Sequence, residues 1–345
     1  MNGDQMEEKT DNKLHVSFDN IIGEDAVKNS LINRLKQDIP GGAYLISGSR
    51  GSGKRMIAEA FAAGILCESN EKPCGFCRSC KLMRDHNHPD FIEISREKSY
   101  YSVSEIREQL NSAIEFAPRL GKKKVIFLED AELLNTAAQN AMLKTIEEPP
   151  EYAVIIMTSC NPDLLLETVR SRVIELYTMP VPMETEAEYL MRKYKIPDYK
   201  AMEYASFSRG NIGEAQELME SASFKDVLEK TLTLTDKILN GKSDTEGLVK
   251  ELSDKKAKDD IKAFLDLLRI WYRDVLIYKA TGSDDYLIVR DEDMRIHEQA
   301  KKVGFEGLNN SFRIISETER RIQANMKMEN AIGLMIMQLK ENIGK

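Results

Sequence analysis

Short, nearly continuous apolar runs alternate with amphipathic stretches through the first half of the chain, and only amphipathic stretches follow in the second. The apolar runs are AYLISG (Ala43 to Gly48), DFIEIS (Asp90 to Ser95), KVIFLED (Lys124 to Asp130), AVIIMTS (Ala153 to Ser159) and RVIELY (Arg172 to Tyr177). Runs of this length with little alternation are expected when both faces of a strand are covered, and helical periods between them predict a parallel α/β sheet from Phe18 to about Pro180. From about Val181 to Ser221 the pattern is small and helical, broken at Pro197 and Gly210, and predicts a compact satellite. Beyond about Phe224 no strand pattern remains. Phe264, Leu267, Leu268, Trp271 and Val275 fall at helical spacing and predict an all-helical third domain with Trp271 in its core. The expected division is therefore a flexible stretch over 1–16, an α/β domain over 17–180, a helical lid over 181–221 and a helical domain over 222–345. The run SDKKAKDD (Ser253 to Asp260) is expected to be a solvated helix connection.

Composition narrows the class. At 345 residues, 42% hydrophobic and 31% charged, the chain reads as a globular protein of two or three domains. No apolar run approaches bilayer length, so no membrane association is expected. Met1 to Val16 is polar and acidic without an apolar centre, which predicts no signal peptide and a cytoplasmic protein. A net charge of -8 argues against broad phosphate-backbone binding by the whole surface.

Candidate chemistry begins at GSRGSGKR. Gly48, Gly51, Gly53 and Lys54 follow a predicted strand and open a predicted helix, the setting in which backbone N–H groups cradle phosphates and the lysine reaches the terminal ones. Arg55 stands where that pattern has Ser or Thr, so the hydroxyl that ligates Mg²⁺ is missing. Two readings follow: a pocket for ATP or ADP, or an inherited strand-to-helix turn that no longer turns nucleotide over. The companion carboxylates, Glu129 and Asp130 in VIFLEDAELL, stand in the reverse of the usual Asp-Glu order, and acidic residues there also serve as helix caps or partners of lysines.

CESNEKPCGFCRSC places Cys67, Cys74, Cys77 and Cys80 in C-x6-C-x2-C-x2-C spacing. Four thiolates so close predict a closed, structural Zn²⁺ site within 67–80, against the alternative of free thiols in a loop. His86 and His88 lie just beyond and are expected at the surface or in a turn rather than on the metal.

The run from Asn135 to Leu176 carries a more specific signal. NAMLKTIEEPP (Asn140 to Pro150), a strand ending in TSCNP and RSRV (Arg170 to Val173) resemble the clamp-loader branch of the AAA+ ATPases, and the likeness extends from FDNIIGEDAVKNSL at Phe18 to ANMKMENAIGLMIMQL at Ala324. The cysteines fall where that family has them. The resemblance implies a RecA-like AAA+ sheet with a zinc-bearing insertion, a helical lid and a helical collar. It also implies a hetero-pentameric ring with gamma/tau motor subunits and a delta subunit, which places a sliding clamp on primer–template DNA. Arg172 matches the family's arginine finger, which reaches ATP on a neighbouring motor subunit; without the resemblance, a surface arginine paired with a carboxylate is the simpler reading. In SRGNIGEAQEL, Gly213 occupies the place of the motors' sensor 2 arginine. Arg55, the reversed acidic pair and Gly213 together favour a member of DNA polymerase III that lends an arginine without hydrolysing ATP. The alternatives are a gamma/tau-like motor, marked by brisk ATP turnover of the lone chain, and a stand-alone zinc-dependent DNA-binding module, marked by tight, salt-dependent DNA binding.

Overall fold

Five strands form where the five apolar runs lie: β1 Gly42–Ser47, β2 Phe91–Glu93, β3 Lys124–Leu128, β4 Ala153–Ser159 and β5 Ile174–Tyr177. They belong to a computed structural model that describes residues 16–38, 41–96, 99–239, 247, 249–250 and 258–342. The stretch expected to be flexible, apart from Val16, and most of the run from Ser253 to Asp260 lie outside the described residues. The strands are all parallel, in the order β2-β3-β4-β1-β5, with Gly42 opposite Val154, Tyr44 opposite Ile174 and Phe91 opposite Val125. This is the expected α/β sheet.

Strand alternation sorts the core onto two faces. Tyr44, Ile46, Val125, Phe127, Val154 and Ile156 meet helices α1 (Asp25–Lys36) and α2 (Lys54–Leu66) on one side. Ala43, Leu45, Ile126, Leu128, Ile155 and Met157 meet α4 (Val103–Glu115) and α5 (Thr136–Glu147) on the other. A short helix, α3 (Arg78–Arg84), follows the cysteine loop, and α6 (Glu167–Arg170) precedes β5. The central strands β1, β3 and β4 are buried as predicted, apart from Gly42 at the start of β1. The edge strands β2 and β5 are only half covered, because each lacks a neighbour on one side. Their partly exposed positions hold Glu93 and Glu175, which take up arginines.

Two compact units emerge: residues 1–185 with Gly210–Glu214, and 186–209 with 215–345. The second is helical: α7 (Met183–Tyr194) and α9 (Ile212–Glu220), most of each belonging to it, α8 (Asp198–Ser208), α10 (Ala222–Leu239), α11 (Lys258–Thr281), α12 (Asp293–Lys302), α13 (Phe305–Gln323) and α14 (Met328–Glu341). One core runs through it from Ala187 to Leu339. Phe264, Leu267, Leu268, Trp271 and Val275 are all buried there, and the Trp271 indole N–H donates to Gln299. Among the described residues no helix is long and apolar enough to cross a membrane.

Candidate functional site

Strand β1 ends at Ser47 and the chain turns into α2 through Gly48 to Gly53. Gly51 and Gly53 have φ of 83° and 79°, left-handed conformations that a side chain disfavours. The loop is tied down from several sides. The Gly48 amide donates to the Ser159 carbonyl at 3.1 Å, and the Ser52 and Thr178 hydroxyls meet at 2.8 Å. Asn211 Nδ2 donates to the Arg50 carbonyl at 2.6 Å, and the Gly213 amide to the Gly51 carbonyl at 3.0 Å. Gly213 therefore lies directly on the loop: a Cβ there would stand 2.6 Å from both Cα and O of Gly51. The sequence shows that position 213 cannot reach a phosphate; the structure adds that no side chain fits there without moving backbone.

Lys54 is only 7% exposed and folds back, its Nζ donating to the Gly48 and Ser49 carbonyls at 2.9 and 2.7 Å. Arg55 points the other way, into a cage of carboxylates. Its Nε donates to Glu59 at 2.9 Å, Nη1 to Glu93 at 2.9 Å and to Glu129 at 2.7 Å, and Nη2 to the second oxygen of Glu93 at 2.9 Å. The guanidinium also lies 5.4 Å from the centre of the Phe127 ring. Hydrogen bonding to Glu93 outweighs partial burial and, with the charges of Glu93 and Glu129, holds Arg55 protonated beyond the ordinary arginine range. Glu129 thus pairs with an arginine, not with the lysine expected as its alternative partner from sequence.

Asp130 pairs with Arg96 at 3.1 Å, its backbone left-handed at φ 53° and its amide donating to the Thr158 hydroxyl at 3.3 Å. Gly51, Gly53, Lys54, Arg55, Glu129 and Asp130 line one cavity of about 670 Å³, a volume in the range of small-ligand sites. Of the residues expected in the pocket, only Gly48 is not on the cavity wall; it accepts the Lys54 bond instead. The pocket lies outside the carboxyl ends of parallel strands, where α/β sheets bind ligands.

Gly51 and Gly53 take the left-handed turns of the expected loop, while Lys54 Nζ is held by the Gly48 and Ser49 carbonyls. No hydroxyl follows the lysine to ligate Mg²⁺; the Arg55 guanidinium is there instead and takes Glu129 Oε2. Sequence spacing could have revealed the Arg55–Glu59 pair, four residues apart on a helix. Glu93 and Arg96, which complete the ion pairs, carried no such signal.

In the cysteine loop the four Sγ atoms of Cys67, Cys74, Cys77 and Cys80 lie within 4.8 Å of one another, with Cys67 and Cys77 at 3.9 Å. A tetrahedron with Zn–S bonds of about 2.3 Å puts its sulfurs roughly 3.8 Å apart, so the set fits Zn²⁺. Amides of Cys74, Cys77 and Cys80 donate to the sulfurs of Cys67, Cys74 and Cys77, each at 3.4 Å, as thiolates require. Burial pushes the Cys67 and Cys80 thiols up, whereas Cys74 is lowered to about 7: burial is the largest single influence and raises it, but hydrogen bonds from the Phe76 and Cys77 amides and with the Cys67 and Cys77 side chains together outweigh it. His86 takes a left-handed turn position at φ 51°, as expected. His88 is buried rather than at the surface but opens a turn, its carbonyl accepting the Phe91 amide at 3.1 Å and its Nδ1 the Asp90 amide at 3.0 Å.

Arg172, 35% exposed, sits in the turn after α6. It pairs with Glu147 at 3.2 Å and donates to the Thr168 carbonyl at 3.0 Å. Arg170 is engaged within the chain by Glu175 and Asp163.

Family models match most of the chain: one described as DNA polymerase III, delta subunit, covers residues 23–181, and one described as DNA polymerase III, delta subunit, C terminal, covers 226–339. The DNA polymerase III subunit delta' of Bacillus subtilis is 26% identical over 321 residues, 91% of this chain and 95% of that protein. The DNA polymerase III subunit tau of the same organism is 28% identical over 337 residues, 89% of this chain but 58% of that protein, so the chain spans little more than half of tau. Subunit delta' of Escherichia coli is 34% identical over 187 residues, 53% of this chain and 56% of that protein.

Proposed function

The chain belongs to the DNA polymerase III clamp-loader family of AAA+ proteins, and from that premise we propose that it acts as the delta-prime subunit, a stator that helps load a sliding clamp on primed DNA without hydrolysing ATP itself. The observation that carries this reading is the Arg55 cage. A motor needs Mg²⁺ between the phosphates and the acidic residue at the end of β3; here Glu129 is bonded to the chain's own guanidinium at 2.7 Å. The backbone of Gly213 against Gly51 supports the same reading, since no sensor side chain fits there.

The working parts are the AAA+ domain over 17–180, the lid over 181–221 and the collar over 222–345, in a cytoplasmic ring with gamma/tau and delta subunits. In that ring Arg172 leaves Glu147 and extends toward ATP held by the neighbouring motor. A guanidinium supplied in trans offsets charge on the transferring phosphoryl group, an effect of about 10³–10⁵ in rate in other nucleotide hydrolases. Its contacts in the lone chain suit this use: an exposed ion pair of this kind is worth about 0–1 kcal/mol, so releasing it is cheap. Zn²⁺ on Cys67, Cys74, Cys77 and Cys80 supplies structure only, because four thiolates leave no open position for chemistry.

The test is reconstitution of the ring with wild type or the Arg172→Ala variant. The variant is expected to assemble, through contacts that do not involve Arg172, and to lower clamp- and DNA-stimulated ATP hydrolysis. Full hydrolysis with the variant would refute the trans role, and brisk turnover by the lone wild-type chain would favour a motor.

A further inference from the structure

An arginine has five N–H donors, and four of those on Arg55 are committed to Glu59, Glu93 and Glu129. The three carboxylates come from α2, the end of β2 and the end of β3, so the guanidinium joins three elements beside the phosphate loop. Mg²⁺ needs a near-octahedral shell of oxygens at about 2.0–2.1 Å. In this pocket residue 55 offers no oxygen, and Glu129 Oε2 already accepts a hydrogen bond. The adjacent Asp130, Glu132 and Cys160 bring three donor atoms within 4.8 Å, but Asp130 is paired with Arg96, and a Glu132 oxygen accepts the Cys160 amide at 3.0 Å. Entry of a divalent cation would place it against a positive charge that three carboxylates hold in position.

We propose that Arg55 takes the place of the divalent metal in this pocket and makes it discriminate against Mg²⁺-bound nucleotide, while the loop, Lys54 and Glu129 retain a latent metal-dependent site that one substitution opens. Arg55 is thus a specificity-determining residue. The Arg55→Thr substitution supplies the missing hydroxyl and frees Glu129 together with Glu93. The proposal rests on reading this pocket as an inherited nucleotide site, but not on where Arg172 reaches in the ring, so the two fail separately.

The experiment titrates the purified full chain with a fluorescent ATP analogue, in Mg²⁺ and in EDTA, and reads Kd rather than turnover. Wild type is expected to bind measurably in EDTA and no more tightly in Mg²⁺, and no detectable binding in EDTA overturns the proposal. The Arg55→Thr variant is expected to bind at least about tenfold more tightly in Mg²⁺ than in EDTA, a difference of about 1.4 kcal/mol. Arg55→Lys keeps a cation in place and is expected to behave as wild type, which separates the charge from mere disruption of the cage. Circular dichroism checks that both variants fold. Wild-type binding that Mg²⁺ tightens about tenfold overturns the proposal, and wild type decides this even if Arg55→Thr is unstable. A folded Arg55→Thr variant indifferent to Mg²⁺, or an Arg55→Lys variant that gains dependence on it, also overturns it.

Discussion

Replacing Gly213 by alanine tests how firmly the first turn of α9 holds the loop at Gly48–Gly53. The added Cβ would stand 2.6 Å from Cα and O of Gly51 and 3.0 Å from its carbonyl carbon. Ordinary contact begins near 3.4 Å, and the obstacle is backbone on both sides, so no side-chain rotation relieves it. Inserting a methyl into such a space costs about 1–3 kcal/mol. Displacing the start of α9 would also weaken the 3.0 Å bond from the Gly213 amide to the Gly51 carbonyl, worth roughly 0.5–1.5 kcal/mol net. The expected loss is then about 1.5–4.5 kcal/mol from these two effects. For a unit of this size, each kcal/mol lowers Tm by roughly 2–4 °C, so the transition should fall by about 3–18 °C. Differential scanning calorimetry reads this directly, because Gly51 and Gly213 belong to the same compact unit and its transition should move first. A shift under about 1 °C would refute the close packing and leave position 213 open to a side chain after all.

Other expectations concern the metal, the buried carboxylates and their titration. Elemental analysis should find one Zn²⁺ per chain, lost on Cys80→Ser or strong chelation with a lower Tm; an equally stable metal-free chain would leave the cysteines as free thiols. Asp90 is fully buried and accepts the Arg119 and Leu120 amides at 2.6 and 2.8 Å, so Asp90→Asn, which sets an N–H₂ against one of them, should cost about 1–3 kcal/mol in chemical denaturation. Burial raises Glu203 despite its 2.6 Å pair with Lys200, so folding favours its protonated form. Its contribution is therefore most favourable below the ordinary carboxylate range and declines as pH rises through the raised value. Glu203→Gln should flatten that part of the pH–stability curve, and an unchanged slope would contradict the assignment.

What the sequence made legible was local. The strands announced themselves through continuous apolar runs, and the phosphate loop and cysteine cluster through spacing within 14 residues. Burial of Phe264 through Val275 followed from helical period alone. What stayed hidden depends on distance along the chain. Glu93 and Glu129 reach Arg55 across 38 and 74 residues, and the amide of Gly213 meets Gly51 only once the sheet has formed. Sequence showed that Arg55 removes a hydroxyl; only the fold shows that it also engages the acidic partner. His88 is expected at the surface or in a turn; it does open the turn to Phe91, but its burial is something no pattern along the chain encodes. Arg172 illustrates both sides: its pairing with a carboxylate was one of two readings, and Glu147, 25 residues earlier, is that partner in the lone chain.

The central claim is that this chain lends positive charge to a neighbour's ATP while its own pocket stays without metal. The most direct measurement is the structure of the reconstituted ring bound to a non-hydrolysable ATP analogue. The account predicts Arg172 released from Glu147 and within hydrogen-bonding distance of the terminal phosphate on the adjacent motor subunit, with Arg55 still joined to Glu129. Arg172 still on Glu147 and facing solvent, far from any phosphate, would contradict it.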